Sequence, residues 1–376
     1  MMTPISSGLG IAAIDSDRLE KAKRAFVTRR ADLRLARQLL SGPRKPVAGD
    51  LVLARVEAVS PRNRIELTDG RRAHLFSGDE IIVAYGNRYA PDQYEAWVPE
   101  TLDACELVAA GGLAATVVNR HDAMARASTI QPIGLLADNR GHRLNLADFA
   151  LSAATGLPAR LPRVIAVVGT SMNAGKTTAC TCLIRGLRDA GLSVNALKVT
   201  GTGAGGDLWQ MKDAGAGIVR DFTDAGFAST YRIDRNELIA CFLGLVAHAS
   251  SNWPDAIVLE VADGLLQKET AALLRSVEFH SVVNVVVFAA GDALSAESGV
   301  RWLHAEQLPV RVLGGLMSAS PLAMAEAEAA TGLPVLTMAQ MSRGDCLRPL
   351  LFDSGASGRE VTIPGADHVL AKRTVG

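Results

Sequence analysis

Gly175, Lys176 and Thr177, near the middle of a 376-residue chain, have the types and order needed to hold a polyphosphate. The ammonium meets the outer phosphates, the hydroxyl binds the accompanying magnesium ion, and amides at a helix start point at the remaining oxygens. Gly169, Thr170, Ser171, Met172, Asn173 and Ala174 lead into them from an apolar run, and from Lys176 through Thr178 to residue 189 the chain reads as a helix. The loop is a variant, because Thr170 stands where a Gly is usual and Gly169 lies one residue earlier. A chance Gly-Lys-Thr at an ordinary turn is the plainer alternative, and the flanking strand and helix patterns argue against it.

Chemistry at such a loop draws on side chains at the ends of neighbouring strands. One apolar run ends in Ala196-Leu-Lys198-Val-Thr, followed by a Gly-rich stretch and Asp207. Asp207 is a candidate Mg²⁺ ligand. Lys198 is a candidate for holding a substrate anion, with a structural salt bridge as the alternative. Ile257-Val-Leu-Glu260 places a carboxylate where phosphate-loop enzymes hold the metal, so Glu260 is the first choice for that role and Asp263 the second. For Asp263 the alternative is a cap on the next helix. Asp221 or Asp224 could serve substrate or metal, Asp292 could reach a nucleotide base, and Arg88, Tyr89 and Asp92 form a polar, aromatic loop that either reads substrate or holds itself rigid. No His pair has metal-ligand spacing, and no Ser/His/Asp set is recognisable.

These residues need elements to position them. From residue 163 onward strands and helices alternate, with near-continuous apolar strands such as Val282-Val-Asn-Val-Val-Val, which implies an α/β doubly wound parallel sheet over 163–376. Before it, residues 1–47 carry helical periodicity over 15–42, where Leu19, Ala22, Phe26, Leu33, Ala36 and Leu40 form one stripe. Residues 48–150 switch to a period of two, with Asp69-Gly70 as a hairpin signal, and imply a small β-barrel or sandwich. Residues 151–162, with two Pro and a Gly, read as a linker.

Lys plus Arg equal Asp plus Glu at 39 each, so no net field favours nucleic acid or an anionic membrane. A small-molecule partner is expected. With no apolar run long enough to span a bilayer and no leader-like N-terminus, the reading is a cytoplasmic protein, and the five scattered Cys fit reduced thiols.

Through Gly169-Thr170-x4-Gly175-Lys176-Thr177, Ala196-Leu-Lys198-Val and Leu259-Glu260-Val, residues 163–340 resemble the phosphate-loop branch containing dethiobiotin synthetase and the ATP-dependent cobyrinate amidases. The resemblance implies ATP on the loop, Mg²⁺ on Thr177, Asp207 and Glu260, Lys198 on a carboxylated substrate, and a homodimer. The chain departs from that family at Val199, where Pro is usual, and in the Val-Ala-Asp-Gly that follows Glu260. A second likeness, through the loop, segment 200–206 and Asp221-Phe, is to the phosphate-loop family that includes a D-glutamate N-acetyltransferase. The leading expectation is an ATP- and Mg²⁺-dependent ligase, with Lys176, Lys198 and Glu260 catalytic, acting on a carboxylate or amino acid. The alternatives are a coenzyme A-dependent N-acyltransferase and a nucleotide-dependent switch or assembly ATPase.

Overall fold

The apolar runs of the C-terminal half pair as a six-stranded, all-parallel sheet. In chain order its elements are β1 (Arg163–Gly169), α1 (Lys176–Asp189), β2 (Val194–Lys198), α2 (Gly206–Asp213), β3 (Val219–Asp221), α3 (Arg235–Ala249), β4 (Ala256–Glu260), α4 (Lys268–Leu274), α5 (Val277–Val282), β5 (Val285–Ala289), α6 (Ala293–Ala305), β6 (Val310–Gly314), α7 (Pro321–Thr331) and α8 (Met338–Met341). The strand order is β3-β2-β4-β1-β5-β6. Every residue of β2, β4 and β5 is buried, as a strand covered on both faces must be. Helix α1 buries Ala179, Cys180, Leu183, Ile184 and Leu187 at helical spacing, which fixes its axis, and hence its N-terminus, at the carboxyl end of β1.

The computed structural model describes residues 9–61, 63–152 and 156–347. They form two units. The first takes the chain up to Leu151 together with Thr202–Gly206 and Phe222–Tyr231; the second takes Ser152–Gly201, Asp207–Asp221 and the chain from Arg232 onward. The second unit contains the parallel sheet.

In the first unit, Ser128–Ala137, Leu51–Ala58, Glu80–Tyr85, Leu113–Arg120 and Cys105–Ala109 pair in that order, and the last pairs back with the first. That ring of five strands is closed. Alternate residues point into it, Val52, Ala54 and Val56 from one strand and Ile81, Val83 and Tyr85 from the next. Segments 202–206 and 222–231 are tied into this unit: Thr202 bridges Ser229, Gly203 N donates to Ala228 O, and Gly205 N donates to the Glu66 carboxylate.

Residues 15–42 depart from the expected helix. Only Ser16–Lys21 is α-helical; two 3₁₀ turns follow, and Gln38–Ser41 is a strand paired with Gly10–Ala13 and Ser128–Ala137. The apolar stripe is largely buried, but the Arg24 guanidinium donates to the Thr28 and Ala31 carbonyls at 2.5 and 2.6 Å, Ala25 N and Val27 N donate to Ile82 O and Gly111 O, and Gln38–Ser41 pairs as a strand, so these groups are not available to a continuous α ladder. The Asp69-Gly70 hairpin forms, but as a separate two-stranded sheet, Arg64–Glu66 with Arg72–His74. The expected strand over 282–289 begins only at Val285, because Ser276 caps a short helix that runs to Val282. Residues 153–155 of the expected linker and 348–376 lie outside the described residues.

Candidate functional site

Residues 169–176 turn from β1 into α1 through a loop whose shape depends on small residues. A Cβ on Gly169 would stand 2.9 Å from the Lys176 stem, so the lysine lies where only glycine leaves room. Gly175 has φ +96° and no side-chain cap, which leaves the first amides of α1 without an acceptor from their own cap residue. Opposite the loop, Gly315 (φ +92°) lies against it so closely that a Cβ would meet Ala174 O at 2.4 Å, and Leu316 N donates to Ala174 O at 3.1 Å. Lys176, 6% exposed, folds its ammonium onto Ser171 O at 2.6 Å. Burial lowers its pKa, with the Glu260 charge pulling the other way. The strand, loop and helix together have the form of a phosphate-binding loop, its ammonium parked on a carbonyl that an anion can replace.

At this loop four charged groups, Lys176, Lys198, Asp207 and Glu260, meet at the carboxyl ends of β1, β2 and β4. Register puts Lys198 opposite Glu260 on one side and Asp221 on the other. Thr177 Oγ1 donates to Glu260 Oε1 at 3.1 Å and also hydrogen-bonds Asp207. The Lys198 ammonium is ion-paired with Asp207 Oδ2. Burial acts to lower the Lys198 pKa, but the Asp207 and Glu260 charges outweigh it and raise it overall; Lys198 in turn holds Asp207 low against the cost of burial. Glu260 is 2% exposed, and among the described residues its Oε2 has no hydrogen-bond partner. Burial pushes its pKa up to about 7 despite both lysines.

Those residues fit a Mg²⁺ ion on one criterion of donor chemistry. Two carboxylates and a hydroxyl converge, and the buried, unpartnered Glu260 Oε2 is what a hard cation, or its water, would satisfy. Among the described residues no three His, Cys, Asp or Glu side chains form a cage of their own, so phosphate oxygens and water would complete the shell.

The structure thus brings together Lys176, Thr177, Lys198, Asp207 and Glu260, with Ser171, Asn173 and Thr178 exposed around the loop and Ala174 buried under it. Lys198 is in a salt bridge here, the alternative set against the substrate role. Asp263 does not cap the following helix, because Gln267 does. Asp224 is committed inside the first unit, where the Arg29 guanidinium pairs with it at 2.8 Å. Asp292 caps α6 through Ser295 N at 2.8 Å, which accounts for it structurally. Arg88 donates to Gln93 at 2.7 Å and stacks over Tyr94, so the 86–95 loop is held by its own contacts. Sequence reasoning missed Gly264 and Gly315, which wall the loop; both follow strands of the parallel sheet, and extending the strand-end rule to glycines would have found them.

No protein-family model and no curated protein matches the sequence. Among solved structures, the chain is similar to the cell division protein FtsY of Thermotoga maritima, at 23% identity over 50% of this chain and 66% of that one, with a TM-score of 0.34. It is similar to chloroplast FtsY of Physcomitrella patens at 18% identity over 50% and 62%, TM-score 0.34. It is also similar to the signal recognition particle 54 kDa protein of Aeropyrum pernix, solved in complex with GDP, at 17% identity over 52% and 47%, TM-score 0.35. The matched part spans from about half to two thirds of those chains. The phosphate-loop assignment rests on the loop's own geometry.

Among the described residues no helix is long and apolar enough to cross a membrane, and none of the five Cys is in a disulfide.

Proposed function

We propose that this chain binds a nucleoside triphosphate as its Mg²⁺ complex and hydrolyses it, using the cycle to move the segments that leave the sheet at β2 and β3. The observation that carries the reading is the meeting of Thr177, Glu260 and Asp207 beside the Lys176 ammonium, with one Glu260 oxygen buried and unmatched. In this reading Gly169–Thr178 wrap the phosphates, Lys176 neutralises the terminal one, and Thr177, Asp207 and Glu260 share the metal, which supplies charge neutralisation across the phosphates. Asp207 directly follows segment 202–206, which belongs to the first unit.

A second reading, the ligase suggested by the likeness to dethiobiotin synthetase, draws on the buried Lys198 at the carboxyl end of β2, with its pairing to Asp207 as the structural alternative. Were Asp207 to serve the metal, Lys198 would be left a buried cation suited to a substrate carboxylate.

Calorimetry of the full chain with Mg-ATP, Mg-GTP and acetyl coenzyme A, followed by phosphate release, tests both. Nucleotide binding lost in Lys176→Ala, with turnover reduced about 10²- to 10³-fold and the melting curve unchanged, is the expected result. Turnover that appears only when a carboxylic or amino acid is added selects the ligase. Acetyl coenzyme A binding without nucleotide binding would overturn both.

A further inference from the structure

Asp263, three residues beyond Glu260, is left over when the roles above are assigned. Its backbone has φ +63°, a left-handed conformation that non-glycine residues adopt at a cost. Both flanks are pinned. Ala262 N donates to Thr200 Oγ1 at 2.8 Å, and Thr270 Oγ1 donates to Ala262 O at 3.1 Å; both threonines are buried. On the other side Gln267 N donates to Gly264 O at 3.1 Å, and Gly264 lies so near the phosphate loop that a Cβ would stand 2.3 Å from Thr170 O. Residue 263 is therefore held at the loop with little freedom to turn away.

Its carboxylate has no partner. Among the described residues it makes no hydrogen bond and no ion pair, although it lies within electrostatic reach of the Lys176 and Lys198 ammoniums and of the Glu269 carboxylate. Burial pushes its pKa up to about 6. Unlike the Glu260 oxygen, it is not sealed off, since Asp263 is only partly buried. Capping does not explain it, because Gln267 caps α4, and the metal already has Thr177, Asp207 and Glu260. A fold that needed only the backbone turn would take glycine at this φ without strain. What the conformation secures is a carboxylate within electrostatic reach of the Lys176 ammonium of the loop.

We propose that Asp263 is the catalytic carboxylate of this site, accepting a hydrogen bond from the water that attacks the terminal phosphorus and taking its proton. The water oxygen bonds to phosphorus, the bridging P–O bond to the nucleoside diphosphate breaks, and the electron pair leaves with the diphosphate. The proton on Asp263 passes to solvent as phosphate departs. This rests on the nucleotide-hydrolysis reading above.

The test uses the full chain with Asp263→Asn, which tolerates the left-handed backbone, and Asp263→Gly, which relieves it. Mg-ATP and Mg-GTP affinities are expected to stay within about threefold of the parent while kcat falls at least about 100-fold and KM holds. Both variants should melt at or above the parent temperature. If kcat stays within threefold in either variant, the proposal is overturned. Should the parent bind nucleotide but turn over too slowly to follow, trapping of Mg-ADP with aluminium fluoride replaces kcat: the parent traps and Asp263→Asn does not, and equal trapping overturns the proposal. A parent that binds neither nucleotide, with Lys176→Ala behaving identically, overturns the nucleotide reading itself and this inference with it.

Discussion

Asp50 in the first unit and Glu260 in the second are buried to the same degree, 1% and 2% exposed, in opposite circumstances. Asp50 accepts from Val47 N at 3.0 Å, from Asn145 Nδ2 at 3.0 Å and from the Arg143 guanidinium at 3.1 Å. Glu260 accepts one hydroxyl, from Thr177, and among the described residues its other oxygen has no hydrogen-bond partner. The buried acid–base pair of the first unit, Arg29 with Asp224, is likewise answered in full, with Thr223 on the same guanidinium. A buried carboxylate without partners costs the fold energy, whereas a partnered one holds it together. Among the described residues Asp50, Arg29 and Asp224 are met by groups of their own unit, whereas one oxygen of Glu260 has no hydrogen-bond partner.

Removing each carboxylate in turn should separate those two uses. The largest effect is expected for Asp50→Ala, which strips three donors of their acceptor and should destabilise the first unit by about 2–4 kcal/mol in denaturant titration. Nucleotide binding at low denaturant should be unchanged.

Glu260→Gln should do the reverse. Glu260 is pushed from its ordinary 4.5 to about 7, so the folded state holds the proton more tightly than the unfolded state does. The stability this brings is complete below pH 4.5 and is lost as pH climbs to about 7. At pH 8, without metal, Glu260→Gln should therefore match or exceed the parent, by on the order of 1 kcal/mol, and at pH 4 the two should coincide. Mg²⁺ binding to the parent should strengthen as pH rises through about 7 and be weak throughout in the variant. Destabilisation by Glu260→Gln on the scale of Asp50→Ala would erase the distinction between the two carboxylates.

The smallest effect is expected for Asp292→Ala. It removes the capping box of α6 and should cost about 1 kcal/mol without changing nucleotide affinity, confirming that a strand-end Asp can be purely structural.

Much of this arrangement was legible beforehand where it depended on local chain chemistry. The apolar strands, the Gly-Lys-Thr turn and the helices over 176–189, 235–249 and 293–305 follow from periodicity, and the strand-end rule pointed to Lys198, Asp207 and Glu260 as neighbours. It failed over 15–42, where a helical stripe was overruled by distant partners: Ser128–Ala137 pairs with Gln38–Ser41, and Leu67 bridges Ala25. It also failed at Asp224 and Asp292, whose partners Arg29 and Ser295 no strand-end pattern reveals.

By itself the sequence determined the Gly-Lys-Thr turn and the parallel sheet behind it, because glycine, lysine and threonine at that spacing and buried aliphatic runs have few other stable outcomes. Only the tertiary structure decided which acids are satisfied and which are left over: Lys198 on Asp207, Asp50 fully partnered, Glu260 and Asp263 not. The reason is physical. Hydrogen-bond satisfaction depends on strand register and on donors that the fold brings in from far along the chain, and those are set by packing of the whole unit rather than by neighbours in sequence.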